Sequence, residues 1–257
     1  MYIRIFWGII LPFLGTTLGS ACVFFMKKEF KSTIKQVLSG FAAGVMIAAS
    51  IWSLLIPAME YESSLQLGIF SFFPAVSGLW LGIIFLLLID KFLPEPDLES
   101  EIGKLKENQM LLTSVTLHNL PEGMAVGVVY AAMLSEGTVE NLSGALALSL
   151  GIAVQNFPEG AIISMPLAGD KIKKGTAFIY GVLSGIIEPI GAFLTLLALS
   201  LVLPLLPYLL GFAAGAMIFA VIKELAPIIT KERSSNIGVL CFAAGFSVMM
   251  ILDVVLG

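Results

Sequence analysis

An all-α, polytopic membrane fold follows from three features of this 257-residue sequence. Hydrophobic residues make up 58% of the chain and charged residues only 12%, against about a quarter charged in ordinary soluble domains. So little polar surface could not cover a globule in water. Long apolar runs recur from end to end, each near the ~20 residues that cross a hydrocarbon core. The runs do not alternate, as the segments of about ten residues in a transmembrane β-barrel would.

Eight spans are predicted: Ile3–Met26, Gln36–Met59, Ile69–Ile89, Leu111–Leu134, Leu142–Ala168, Thr176–Val202, Tyr208–Thr230 and Ile237–Leu256. The first reads as a true span rather than a signal peptide. It is too long, lacks a small-residue cleavage site and has one basic residue at its start, Arg4. Between spans three and four, Lys91–Gln109 is polar and contains neither His nor Cys. A regulatory or metal-gathering role is conceivable for it, and a plain connector is the expectation. Cys22 and Cys241 fall in spans one and eight, so no disulfide framework is expected. A formal charge of −4 with scattered basic residues gives no reason to expect nucleic acid as a partner.

The basic residues set the orientation. Lys27, Lys28, Lys31 and Lys35 lie between spans one and two, and Lys91, Lys104 and Lys106 follow span three. Lys171, Lys173 and Lys174 follow span five, and Lys231 and Arg233 follow span seven. The alternate loops carry Glu60, Glu62, Glu136 and Glu140, and no Lys or Arg. The positive-inside rule then puts both termini on the non-cytoplasmic side of the cell membrane.

Two pairs of segments repeat. Gly40-Phe-Ala-Ala-Gly44-Val-Met46-Ile in span two returns as Gly211-Phe-Ala-Ala-Gly215-Ala-Met217-Ile in span seven. His118-Asn-Leu-Pro-Glu-Gly123 in span four is answered by Gln155-Asn-Phe-Pro-Glu-Gly160 in span five. The partners in each pair are an odd number of crossings apart and run in opposite directions. The chain therefore reads as one transmembrane unit. Repeat one covers about 1–90, a central helix pair about 111–168, and repeat two about 176–257, related by a pseudo-two-fold axis in the membrane plane. The small-residue stretches, including Phe242–Gly245 of span eight, read equally well as close helix packing.

The polar residues at mid-depth carry the chemistry. Glu122 lies halfway along span four, Glu188 halfway along span six and Glu159 just past the middle of span five. A charged side chain at the bilayer centre costs about 2.5–3.5 kcal/mol, so three ionised and unpaired would cost on the order of 8–10 kcal/mol. No Lys or Arg sits at that depth to offset them, which leaves a bound divalent cation, or protons when it is absent. His118 and Glu122 are four residues apart on one helix face, with Asn119 close beside them. Gln155, Asn156 and Glu159 repeat the geometry on span five. Two such faces opposed offer imidazole nitrogen together with carboxylate and amide oxygens. That mixed set suits zinc and its neighbours better than calcium or magnesium. Pro121 and Pro158 remove hydrogen bonds to the Leu117 and Val154 carbonyls, so a kink beside the ligands is expected. Glu188-Pro189 reads as a ligand or pathway residue, and Met46 alone reads as core. For Glu224 beside Lys223, an internal ion pair and a place on the exit path are both open. Asp90 and Asp253, near span ends, read as solvated or structural.

With these residues together, the chain resembles the ZIP family of metal transporters, in its GufA-like branch. The likeness rests on the two Asn-x-Pro-Glu-Gly motifs, Leu183-Ser-Gly-Ile-Ile-Glu-Pro189, and Gly40–Glu60 with Met46 and Pro57. It implies eight helices in a 3+2+3 inverted-repeat arrangement and a two-metal transport site. One subsite would use Met46, His118, Glu122, Gln155 and Glu159. The other would use Asn119, Glu122, Asn156, Glu159 and Glu188, with Glu122 and Glu159 bridging. The resemblance also implies a homodimer that carries zinc, iron, manganese or cadmium towards the cytoplasm as transported substrate, without an organic cofactor. Two departures stand out. Gln155 replaces a second His, which softens the preference for zinc, and Lys223 stands where relatives often carry the first residue of an acidic pair.

Two other readings compete with a metal carrier. An intramembrane metal-dependent hydrolase would use metal-activated water, but the chain lacks His-Glu-x-x-His and a nucleophile dyad, and its carboxylates are duplicated symmetrically. A carboxylate-coupled carrier of protons or small solutes would bind no stoichiometric metal.

Overall fold

A computed structural model of the chain describes residues 2–26, 32–64, 72–92, 119–134, 140–169, 172–230 and 236–256, with Phe70 and Thr116. Regular structure among them is entirely helical. Helix α1 is Tyr2–Phe25. Helix α2 runs Ser32–Ala49, widens into a π-helical stretch at Ser50–Leu55 and continues as Ile56–Ser64. Helix α3 is Phe73–Phe92, α4 is described over 119–134, and α5 is Glu140–Gly169. Helix α6 consists of Lys174–Gly185 and Ile187–Leu197, interrupted at Ile186. Helix α7 is Leu206–Ala220, a π-helical stretch Val221–Leu225 and Ala226–Ile229, and α8 is Ile237–Leu256. Among the described residues, seven helices are long and apolar enough to cross a membrane. The start of the span predicted from Leu111, and most of the Lys91–Gln109 connector, lie outside the described residues.

Of the two prolines in the repeated motif, Pro121 follows residues outside those described, and Pro158 does not interrupt its helix. Helix α5 continues through both Pro158 and Pro166. The discontinuities sit instead ahead of Pro57, Pro189 and Pro227. In α2 and α7 the residue just before the proline bonds five residues back: Ile56 N–H to the Ile51 carbonyl, and Ala226 N–H to the Val221 carbonyl. Widening the turn keeps backbone groups paired where proline supplies no donor. In α6, Pro189 removes the bond to the Gly185 carbonyl, and the helix falters there.

Four pairs of helices run side by side in the same direction, brought together by glycines that rest on a neighbour's carbonyl. Gly40 and Gly44 of α2 lie against the Gly238 and Phe242 carbonyls of α8, while Gly245 lies against Phe41. Gly211 and Gly215 of α7 lie against the Ala75 and Leu79 carbonyls of α3, while Gly82 lies against Phe212. The register of one seam repeats in the other. Gly160 of α5 meets the Thr16 carbonyl of α1, and Gly123 of α4 meets the Glu188 carbonyl of α6, again at matching motif positions. A side chain at any of these points would hold the backbones apart.

Large apolar side chains face outward along the bundle, among them Trp7, Leu18, Trp80, Phe193, Leu240 and Ile251. That is the surface a helix bundle turns to lipid tails. The interior divides in two. Buried Met46, Ala125, Leu210, Ala214 and Met217 belong to a continuous apolar core. The buried polar groups come from α1, α4, α5 and α6, with Gln36, Ser39, Ser50 and Ser53 added by α2.

Candidate metal centre

Glu122, Glu159 and Glu188 are all buried, at 2%, 8% and 1% exposure, within electrostatic reach of one another. The repeated motif delivers the first two. Asn119 and Glu122 share one face of α4, Asn156 and Glu159 share one face of α5, and Gln155 closes the gap by donating from Nε2 to Glu122 Oε1 at 2.9 Å. The break in α6 places Glu188 at the start of that helix's second half. There its Oε2 accepts Asn156 Nδ2 at 2.7 Å and its Oε1 accepts Asn119 Nδ2 at 3.2 Å. Asn119 Nδ2 also reaches the Ser184 carbonyl at 3.1 Å, close to the break.

Each amide that donates to a carboxylate turns its own oxygen the other way. The result is a set of buried oxygens that find no hydrogen-bond partner among the described residues: Asn119 Oδ1, Glu122 Oε2, Gln155 Oε1, Asn156 Oδ1 and Glu159 Oε2. Leaving one buried acceptor unsatisfied costs about 1–3 kcal/mol, so five on two motif faces call for a partner that the described side chains do not supply; Gln36, Ser39 and Thr17 hold further unpartnered polar atoms away from these faces. The carboxylates do not form a site alone: among the described residues no three His, Cys, Asp or Glu converge closely enough to hold a metal. The unpartnered amide oxygens of Asn119, Gln155 and Asn156 are the other acceptors buried beside them.

Of the predicted site residues, Asn119, Glu122, Gln155, Asn156, Glu159 and Glu188 come together in this cluster. Met46 is buried in the apolar core on α2, which packs against α5. His118 lies outside the described residues. Sequence reasoning missed Thr16 of α1, whose Oγ1 donates to Glu188 Oε1 at 2.9 Å. A hydroxyl at the middle of the first span was the available signal.

The residues near the helix ends also acquire partners. Lys223 pairs with Asp90 of α3, Nζ to Oδ2 at 3.0 Å, a partner on a neighbouring helix that the sequence reading did not name. Asp253 of α8 accepts from the Ser53 hydroxyl of α2 at 2.9 Å. Both aspartates are thus tied across the same two glycine seams, α3–α7 and α2–α8.

The sequence matches the ZIP zinc transporter family over residues 96–253. It is 35% identical to zinc transporter ZIP11 of Xenopus tropicalis, over 97% of this chain and 96% of that protein. It is 35% identical to zinc transporter GufA of Myxococcus xanthus over 85% of each. To zinc transporter ZIPB of Bordetella bronchiseptica it is 32% identical, over 95% of this chain and 79% of that protein.

Proposed function

The chain belongs to the ZIP zinc transporter family, and we propose that it carries divalent transition metal ions, zinc first, across the cell membrane towards the cytoplasm. The observation that carries the reading is the set of five buried, unpartnered oxygens carried by the paired motifs of α4 and α5. A divalent cation would satisfy them together and offset the charge of Glu122 and Glu159. Oxygen donors hold zinc at about 2.0–2.2 Å, and His118 would add an imidazole nitrogen at about 2.0–2.1 Å. The full site in this reading is Met46, His118, Asn119, Glu122, Gln155, Asn156, Glu159 and Glu188, with Glu122 and Glu159 shared between two neighbouring subsites. The oxygen-rich set also accommodates iron, manganese or cadmium.

The contents of the two helix groups suggest how transport would proceed. Except for Met46, every proposed site residue among the described residues lies on α4, α5 or α6, and α1 packs tightly against α5 and α6. The pairs α2–α8 and α3–α7 make up the second group, which shares an apolar core with α4 and α5 and buries Gln36, Ser39, Ser50 and Ser53 of α2. Displacement of the first group against the second would expose the site alternately to each side. Both termini lie outside the cytoplasm in this reading, and two copies assemble as a homodimer.

Radiolabelled zinc uptake into proteoliposomes tests the assignment. Protein carrying Glu122→Ala or His118→Ala is expected to take up zinc at the rate of empty liposomes. Uptake at the unsubstituted rate in either variant would refute that residue's role.

A further inference from the structure

Glu188 differs from the other two buried glutamates in that both of its oxygens accept hydrogen bonds. Its Oε1 accepts Thr16 Oγ1 at 2.9 Å and Asn119 Nδ2 at 3.2 Å, and its Oε2 accepts Asn156 Nδ2 at 2.7 Å. The donors come from α1, α4 and α5, so four helices meet on one carboxylate. Glu122, by contrast, accepts from Gln155 at Oε1 and keeps Oε2 unpartnered among the described residues.

A carboxylate has lone pairs and no proton to give, so the groups facing it must be donors. Both asparagines are therefore compelled to turn their –NH₂ towards Glu188. Their Oδ1 atoms then point elsewhere, and both are buried without a partner among the described residues. Thr16 fixes the carboxylate in turn. It is fully buried, its side chain packs where Gly185 leaves room, and its hydroxyl is closer to Glu188 than to its other acceptor, the Pro12 carbonyl at 3.4 Å.

We propose that Thr16 and Glu188 form a positioning pair: Thr16 holds the Glu188 carboxylate so that it orients the Asn119 and Asn156 amides, oxygen outward, towards an incoming divalent cation. The inference rests on the transport reading, and it assigns to α1 a share in a site whose other residues lie on α2, α4, α5 and α6. Partners that orient ligands in this way typically change metal affinity by roughly 10–100-fold when removed.

The test compares Thr16→Val, which keeps the branched shape and loses the hydroxyl, with Thr16→Ser, which keeps the hydroxyl and loses the methyl. Zn²⁺ affinity is measured on purified full-length protein by competition with a chromophoric chelator, with thermal midpoints recorded in parallel and Glu122→Ala as the site control. Thr16→Val is expected to weaken Zn²⁺ binding roughly 10–100-fold at an unchanged midpoint, and Thr16→Ser to bind within a few-fold of the unsubstituted protein. In a Glu188→Gln background, Thr16→Val is expected to add little, because both changes act through one carboxylate. Unaltered affinity in Thr16→Val, or equal losses in Val and Ser variants, would overturn the positioning role while leaving the transport reading intact. Failure of the unsubstituted protein to bind Zn²⁺ more tightly than Glu122→Ala would overturn both.

Discussion

In the α1–α5 pair Gly160 rests on the Thr16 carbonyl, and in the α3–α7 pair Gly215 rests on the Leu79 carbonyl. The two seams use the same device, a missing side chain that lets two backbones touch, which is how helices associate where lipid offers no hydrophobic driving force. What surrounds them differs. Beside the first lie buried Thr16, Ser20, Gln155, Asn156, Glu159 and Ser164. Beside the second lie Leu206, Leu210, Ala213, Ala214 and Met217, and α3 and α7 add nothing to the buried polar side chains among the described residues. Packing chemistry therefore does not reveal which seam carries cargo. Charge without a resident counter-charge does.

Paired substitutions sharpen that contrast. Glu159→Ala removes a buried, unpartnered acceptor from the polar seam. It is expected to abolish stoichiometric zinc binding, with a thermal midpoint equal to or above that of the parent. Gly215→Val forces a side chain against the Leu79 carbonyl of the dry seam. The expected result is the opposite: a large fall in midpoint and yield, with unaltered zinc affinity in the fraction that remains folded. Metal content by elemental analysis and a melting curve on the same samples separate the two. If both variants lost metal and stability alike, the division of labour between the seams would not hold.

A smaller effect is expected at the edge of the dry seam. Lys223 and Asp90 pair at 3.0 Å, but their side chains are 56% and 43% exposed. Exposed pairs of this kind contribute about 0.2–1 kcal/mol. Lys223→Ala should move the thermal midpoint by no more than a few degrees and leave zinc affinity as it was. A loss of binding comparable to that of Glu159→Ala would mean that the α3–α7 seam takes part in the site after all.

Much of this was legible in the chain itself, for identifiable reasons. Hydropathy locates spans because every backbone group in lipid must bond within its own helix. The repeated Asn-x-Pro-Glu-Gly motif locates the site because helical spacing puts Asn119 with Glu122, and Asn156 with Glu159, on single faces. Partnerships between helices were less accessible. That Lys223 meets Asp90, that Ser53 meets Asp253, and that Thr16 meets Glu188 depends on which helices neighbour each other and how each is rotated. Span hydropathy carries none of that. How each proline is accommodated was equally hard to read. Pro158 sits within a continuous α5, whereas Pro57 and Pro227 follow π-helical stretches, because the local backbone chooses how to accommodate a missing donor.

The central claim is that a divalent cation rests on the buried oxygens that α4 and α5 carry. Anomalous diffraction at the zinc edge, from crystals of the protein grown with zinc, tests it most directly. The account predicts a peak enclosed by Glu122, Glu159 and the amide oxygens of Asn119, Asn156 and Gln155, at the ~2.0–2.2 Å expected of zinc–oxygen bonds. Zinc bound only at the loops, with the same five oxygens still lacking any partner, would contradict it.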